Sequence, residues 1–141
     1  MVMPDQSLHV ELTRSILESA IRVQDALGVG LYEMPYKVCL AHALRRKGHK
    51  VLTEVILDLT FEGLLISEAY KIDLLVDDKV VVEAKTVERL SPMHHAQVLT
   101  YLRLSGKDVG LLLNFWVSPM KDGGIKRLIR TPGARASHSV P

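Results

Sequence analysis

Three charged residues stand inside apolar, strand-like sequence. Asp73 lies in Tyr70-Lys71-Ile72-Asp73-Leu74-Leu75-Val76, and Glu83 and Lys85 lie in Val80-Val81-Val82-Glu83-Ala84-Lys85. Residues two apart on a strand share a face, so Glu83 and Lys85 point to the same side. A charge among buried aliphatics is costly unless it is paired or bound to a cation. Two carboxylates held close together suit a hard divalent ion such as Mg2+. A lysine beside them could orient or activate a water, or stabilise charge developing on a phosphate. A buried ion pair of Lys85 with Glu83 or Asp73 would use the same residues with no chemistry at all.

The two functions make different demands on the turn between the strands. If Asp77-Asp78 is a strict two-residue turn, Asp73 falls opposite Val82 and points away from Glu83. If the loop holds three residues or carries a bulge, Asp73 falls opposite Glu83 and both acids face one side. The metal site needs the second arrangement, so an odd or bulged loop is expected at Asp77-Asp78-Lys79.

Other residues could join this chemistry. Glu33 follows the glycine turn Gly28-Val29-Gly30 and opens a helix, where an acid satisfies free amides and the helix dipole. Gln97 and Tyr101 are i and i+4 on a later helix and could reach a phosphate or a carboxylate ligand; a half-buried polar edge is the plain alternative. The six histidines and the lone Cys39 show no zinc-ligand spacing. Gly28-Val29-Gly30 lacks a following Gly-Lys-Ser/Thr and comes after a helix, so it is no phosphate loop.

The elements that must position these groups follow from periodicity. Leu12, Ile16, Ala20, Val23 and Leu27 make a helical stripe, capped by Ser7 or Thr13 and stopped by Gly28. A second helix spans about Glu33 to Gly48, with Tyr36, Leu40, Ala43 and Leu44 inward and Pro35 in its first turn. Period two takes over from Val51 to Leu59, then a turn at Glu62-Gly63, then strands over 68–76 and 79–86. Ser91-Pro92 opens a third helix ending at Gly106. The apolar run Val109 to Val117 reads as a buried central strand, and 125–130 as a last short one. The order is α-α-β-β-β-α-β-β.

Residues 1–7 read as a flexible terminus and 131–141 as a disordered tail, leaving one domain over 8–130 of the 141 residues. Hydrophobic residues make up 48% and charged residues 24%, a globular composition. No apolar run is long enough for a membrane span, and the start has neither the basic nor the apolar region of a signal peptide. One cysteine and no leader point to a cytoplasmic protein. The net charge is only +2, but from Met34 to Thr53 there is no acid, and from Lys121 onward there is only Asp122. Lys37, Arg45 and Arg46 in the first stretch, and Lys126 and Arg127 in the second, are the candidates for contact with a nucleic acid. The alternative is a solvated helix face and a basic tail. Seven aromatic residues leave little for extensive base stacking. The mean hydropathy of +0.15 and the apolar run near Gly110–Val117 suggest a homodimer.

Taken together, these residues resemble a known family. Gly30-x-x-Glu33-x-x-Tyr36 looks like the signature of the bacterial GxxExxY proteins, a branch of the PD-(D/E)XK nuclease superfamily. Tyr70-Lys-Ile-Asp73, Val82-Glu83-Ala84-Lys85, Ala96-Gln97-x-x-x-Tyr101 and Gly110-Leu-Leu-Leu-Asn114-Phe115 match further blocks, over about residues 8–130. Two positions depart from the pattern: Gln24 where the family has His, and Val29 where it has Pro. The resemblance implies an α/β, restriction-endonuclease-like core with a central mixed sheet flanked by helices. It implies that Asp73, Glu83 and the Ala84 carbonyl hold Mg2+ or Mn2+, that Lys85 is the catalytic lysine, and that Glu33, Gln97 and Tyr101 complete the site. The implied reaction is metal-dependent phosphodiester hydrolysis of a nucleic acid, with DNA the leading substrate. A non-catalytic module that keeps the fold and binds nucleic acid or protein is the alternative; the intact Asp/Glu/Lys set argues against it.

Overall fold

The computed structural model describes residues 5–131. The first stripe becomes helix α1 (Val10–Leu27) and the second becomes α2 (Glu33–Arg46). Neither expected cap serves α1. His9 occupies the cap position at φ 53° without a side-chain cap, while the Ser7 hydroxyl and amide bind the Asp5 carboxylate. Residues 5–7, expected to be loose, are tied by this turn and by Arg127, which donates to the Gln6 carbonyl. The rest of the expected loose ends, 1–4 and 132–141, lies outside the described residues. Gly28 and Gly30 adopt φ 77° and 112°, which other residues avoid, so the two glycines are what let the chain reverse into α2.

The strands are β1 (Val51–Phe61), β2 (Leu64–Val76), β3 (Val80–Lys85), β4 (Val109–Asn114) and β5 (Ile125–Ile129), with α3 (Pro92–Ser105) crossing between β3 and β4. They form one sheet in the order β1-β2-β3-β4-β5, antiparallel except for the parallel β3/β4 pair that the α3 crossover makes. β2 begins four residues earlier than expected, because Leu64, Leu65 and Ile66 continue the hairpin ladder with Phe61, Thr60 and Leu59. β4 ends at Asn114, earlier than the apolar run suggests.

Helices α1 and α2 cover one face of the sheet, where Ile16, Tyr36, Leu40 and Leu44 pack on Leu74, Val82 and Leu111. Helix α3 covers the other, with Val98 and Leu102 on Val81 and Leu112. Gly110 allows this close approach, since a Cβ there would lie 2.6 Å from a Val98 methyl. The Ser91 cap of α3 is a full capping box closed by His94. β4 is buried along its whole length between β3 and β5, so the run expected to signal a subunit contact is the central strand. One group of exposed apolar residues is at the far end of the β1–β2 hairpin: Phe61, Leu64, Leu65 and Ile66.

The β2–β3 turn decides the site. Val76 pairs with Val80, Leu75 with Val81 and Leu74 with Val82, so the loop holds three residues, Asp77, Asp78 and Lys79. Asp77 and Asp78 both sit at positive φ, 52° and 57°. A relay holds the turn: the Asp77 carboxylate accepts from the Lys50 amide (2.8 Å) and meets His49 Nδ1 (2.7 Å), and His49 Nε2 meets the Ser15 hydroxyl (2.7 Å). Burial opposes the Asp77 charge, but His49 and the Lys50 amide overcome it and hold its carboxyl below the usual range. Ser-His-Asp is also the order of a hydrolase relay. Ser15, however, lies within α1, where backbone amides are consumed by helix hydrogen bonds and do not supply an oxyanion hole. The relay is therefore a lock on the turn. Asp77→Ala is expected to lower stability by about 2 kcal/mol in urea denaturation, and Asp77→Asn by less, since it keeps an acceptor for Lys50 and tolerates positive φ.

Candidate active site

Pairing between β2 and β3 stops at Leu74 and Val82. One step further the strands part, and the two acids fill the split. The Ala84 amide donates to Asp73 Oδ2 (2.9 Å), and the Asp73 amide donates to Glu83 Oε1 (3.4 Å). Each carboxylate thus replaces a ladder partner on the opposite strand. Asp73 is 8% exposed and Glu83 4%, so both are buried and adjacent, as the three-residue loop demands. Lys85 reaches Glu83 Oε2 at 3.6 Å. The Asp73, Glu83 and Lys85 triplet therefore gathers in one place.

Burial and the Asp73 charge push the Glu83 carboxyl up to about 8, although Lys85 pulls the other way. The hard oxygen donors fit a divalent cation, with Asp73, Glu83 and the Ala84 carbonyl as the candidate ligands. Among the described residues no three His, Cys, Asp or Glu side chains gather as metal donors. Glu33, expected beside the two acids, is the first residue of α2.

Tyr101 is on α3 and almost fully buried; burial first, then the Glu83 and Asp73 charges, push its hydroxyl upward. Gln97, one turn earlier on α3, pulls that hydroxyl slightly the other way, and Tyr70 meets the Tyr101 ring edge-on at 5.9 Å. The Gln97/Tyr101 pair thus stands close to the acids on the α3 side.

The expected basic track is different in space. Lys37 is not free for a polyanion: its ammonium donates to Asp73 Oδ1 (3.1 Å) and Glu54 Oε1 (3.3 Å). Burial disfavours its charge, but these two acids hold its pKa above the ordinary value. Arg45 donates to the Val51 carbonyl, and Arg127 to the Gln6 and Leu8 carbonyls. Three of the five candidate cations are therefore spent on the fold and the site. Arg46 and Lys126 are exposed, but Arg46 ends α2 and Lys126 lines a hollow under α3, on opposite faces of the sheet.

Glu54, Gln24 and Asn114 matter here although spacing alone did not single them out, and so does Tyr36 of the inward stripe. Glu54, at φ 53° on β1, links Lys37 to Lys71. Gln24 is buried and donates to the Phe115 (3.1 Å) and Val117 (2.6 Å) carbonyls. Tyr36 stacks on Phe115 with ring centres 4.6 Å apart, and its hydroxyl donates to the Gly28 carbonyl. Asn114, register partner of Lys85, is fully buried and bonds the Val87 amide and carbonyl and the Trp116 amide. Its presence in the family-like block at 110–115 was the one available signal. Asn114→Ala is expected to cost about 2–3 kcal/mol in thermal unfolding, because three backbone groups lose their partner.

A mixed sheet flanked by helices, split between two acid-bearing strands with a lysine two residues past the second acid, defines an α/β fold of the restriction-endonuclease type. The family model of the PD-(D/E)XK nuclease superfamily matches residues 10–128, and the chain belongs to that superfamily. Members are nucleases that generally use divalent metal ions and bind nucleic acid. No curated protein and no solved structure matches the chain. Among the described residues no helix is long and apolar enough to cross a membrane.

Proposed function

We propose that this chain hydrolyses phosphodiester bonds of nucleic acid, DNA above all, with Mg2+ or Mn2+ held by Asp73, Glu83 and the Ala84 carbonyl. The observation that carries the proposal is the convergence of Asp73, Glu83 and Lys85 at the split between β2 and β3. The bound metal would supply Lewis acidity toward the phosphate and a lowered water pKa. Asp73 and Glu83 supply the anionic cradle. Lys85 orients the attacking water, and its charge offsets that developing on the phosphate oxygens. Gln97 and Tyr101 position the Glu83 side of the cradle from α3. Glu33 belongs to the reading as a helix-start acid that meets substrate or water, outside the carboxylate pair. Gly30-x-x-Glu33-x-x-Tyr36 supports membership of the GxxExxY branch, and the lone cysteine supports a cytoplasmic setting. Incubation of plasmid and single-stranded DNA with the protein and Mg2+ or Mn2+ tests the proposal; no cleavage with either ion overturns it.

One observation favours the non-catalytic module: Lys37 already neutralises Asp73. In that case a divalent ion would give no thermal stabilisation, whereas the enzyme would be stabilised by it. The exposed apolar end of the β1–β2 hairpin supports a homodimer. Light scattering should then give about twice 15.7 kDa at micromolar concentration, and a 15.7 kDa particle refutes it.

A further inference from the structure

Two of the seven aromatic residues are exposed on one rigid rim at the Lys85 end of the sheet. Trp116 is 45% exposed and Tyr32 88%. Trp116 lies two residues beyond Asn114, the register partner of Lys85, and the intervening Phe115 amide donates to the Lys85 carbonyl (2.8 Å). The backbone around Trp116 is fixed on three sides. Asn114 takes its amide, and Gln24 takes the carbonyls of the residues before and after it. Tyr32 caps α2 without any side-chain bond, immediately before Glu33. It belongs to the same rim because Tyr36, one turn on, stacks on Phe115 and binds both the Gly28 carbonyl and the Leu31 amide.

The framework of this rim is thus buried and hydrogen-bonded, while Tyr32 is mostly and Trp116 about half open to solvent. Rings held on an ordered backbone lose little further freedom when a flat ligand stacks on them. A base has such a face only when it is unpaired, because a duplex buries base faces within its own stack. Tyr32 and Trp116 lack the cationic group of lysine or arginine, so what they chiefly offer a nucleic acid is a ring face.

We propose that Tyr32 and Trp116 form a stacking platform for unpaired bases, and that the strand presented to Lys85 is single-stranded. This rests on the phosphodiesterase reading and names its substrate class. Trp116 is the only tryptophan, so its emission reports the contact directly. Titration of the full chain with a short oligodeoxythymidine, in EDTA so that nothing is cleaved, should quench that emission. A blunt duplex of the same length should quench it far less. Labelled-oligonucleotide anisotropy should show roughly tenfold weaker single-strand binding for Trp116→Ala and for Tyr32→Ala, with circular dichroism unchanged. Tyr32→Phe, which keeps the ring, should bind as the parent does. Unchanged emission, equal quenching by duplex, or unaltered affinity of both alanine variants overturns the platform. Quenching without cleavage under Mg2+ or Mn2+ supports the platform and removes the nuclease reading. Cleavage without quenching does the reverse.

Discussion

Lys85→Ala is expected to reduce phosphodiester cleavage by roughly 10²–10³-fold or more while leaving the protein folded, because it removes the one cation aimed at Glu83 from the same strand. The loss should fall on kcat, since Lys85 acts on the attacking water and on charge that exists only as the phosphate reacts. Lys85→Arg should not rescue it; the planar guanidinium places its donors differently and does not give up a proton. The stability cost should be small, about 1–2 kcal/mol, because Glu83 can answer the loss of its partner by holding its own proton more firmly. Single-turnover cleavage and urea denaturation on the same preparation separate the two effects. A Lys85→Ala protein that cuts as fast as the parent removes the enzyme reading and leaves the binding module.

The second large effect is the coupling of metal uptake to protons. Glu83, pushed up to about 8 by burial and by Asp73, carries a proton at neutral pH until a cation arrives. Divalent-ion affinity should therefore strengthen about tenfold per pH unit up to roughly pH 8 and then level off. Calorimetry at pH 7 in buffers of different ionisation enthalpy should record close to one proton released per ion. The sign for stability runs the other way in metal-free protein. The folded pKa lies above the unfolded one, so the contribution is complete below about pH 4.5 and is lost as pH rises through about 8. Glu83→Gln should flatten that slope and weaken metal binding at least as much as loss of an outer hydrogen-bond partner would, about 10–100-fold. Asp73→Asn should weaken binding too and shift the levelling point to lower pH, since the charge that raises Glu83 is gone. An affinity independent of pH between 6 and 8 contradicts this account.

Much of this was legible from residue types. Asp73, Glu83 and Lys85 stood out because charges are expensive among valines and leucines, and the two stripes at 12–27 and 36–44 led directly to α1 and α2. The pairing of Asp73 with Glu83 was legible only as a condition on loop length, which the register then met. The partners of the basic residues were not legible, for a definite reason. A run without acids in sequence says nothing about acids brought in from elsewhere, and Lys37 meets Glu54 and Asp73 from two different strands. Arg45 and Arg127 likewise find carbonyls, which carry no signal in a charge count. Gln24 and Asn114 could not be ranked from spacing because their partners are backbone groups of a loop whose shape is set by tertiary packing. Ser7 lost the α1 cap to a closer partner, Asp5.

The three-residue turn at Asp77-Asp78-Lys79 has a bearing on how such sequences are compared. Its contribution to the site is a count of residues, not an identity. Asp73 and Glu83 each stand three residues outside the turn, so removing one residue from either strand arm would leave every letter of the Asp-to-Glu-x-Lys signature intact, yet the acids would slip out of register onto opposite sides of the sheet. A pattern that tolerates gaps between its blocks would still accept that chain. For relatives of this protein, an insertion or deletion in either strand arm between the two acids is as informative as a substitution of either, since only arms of equal length keep the acids opposite each other.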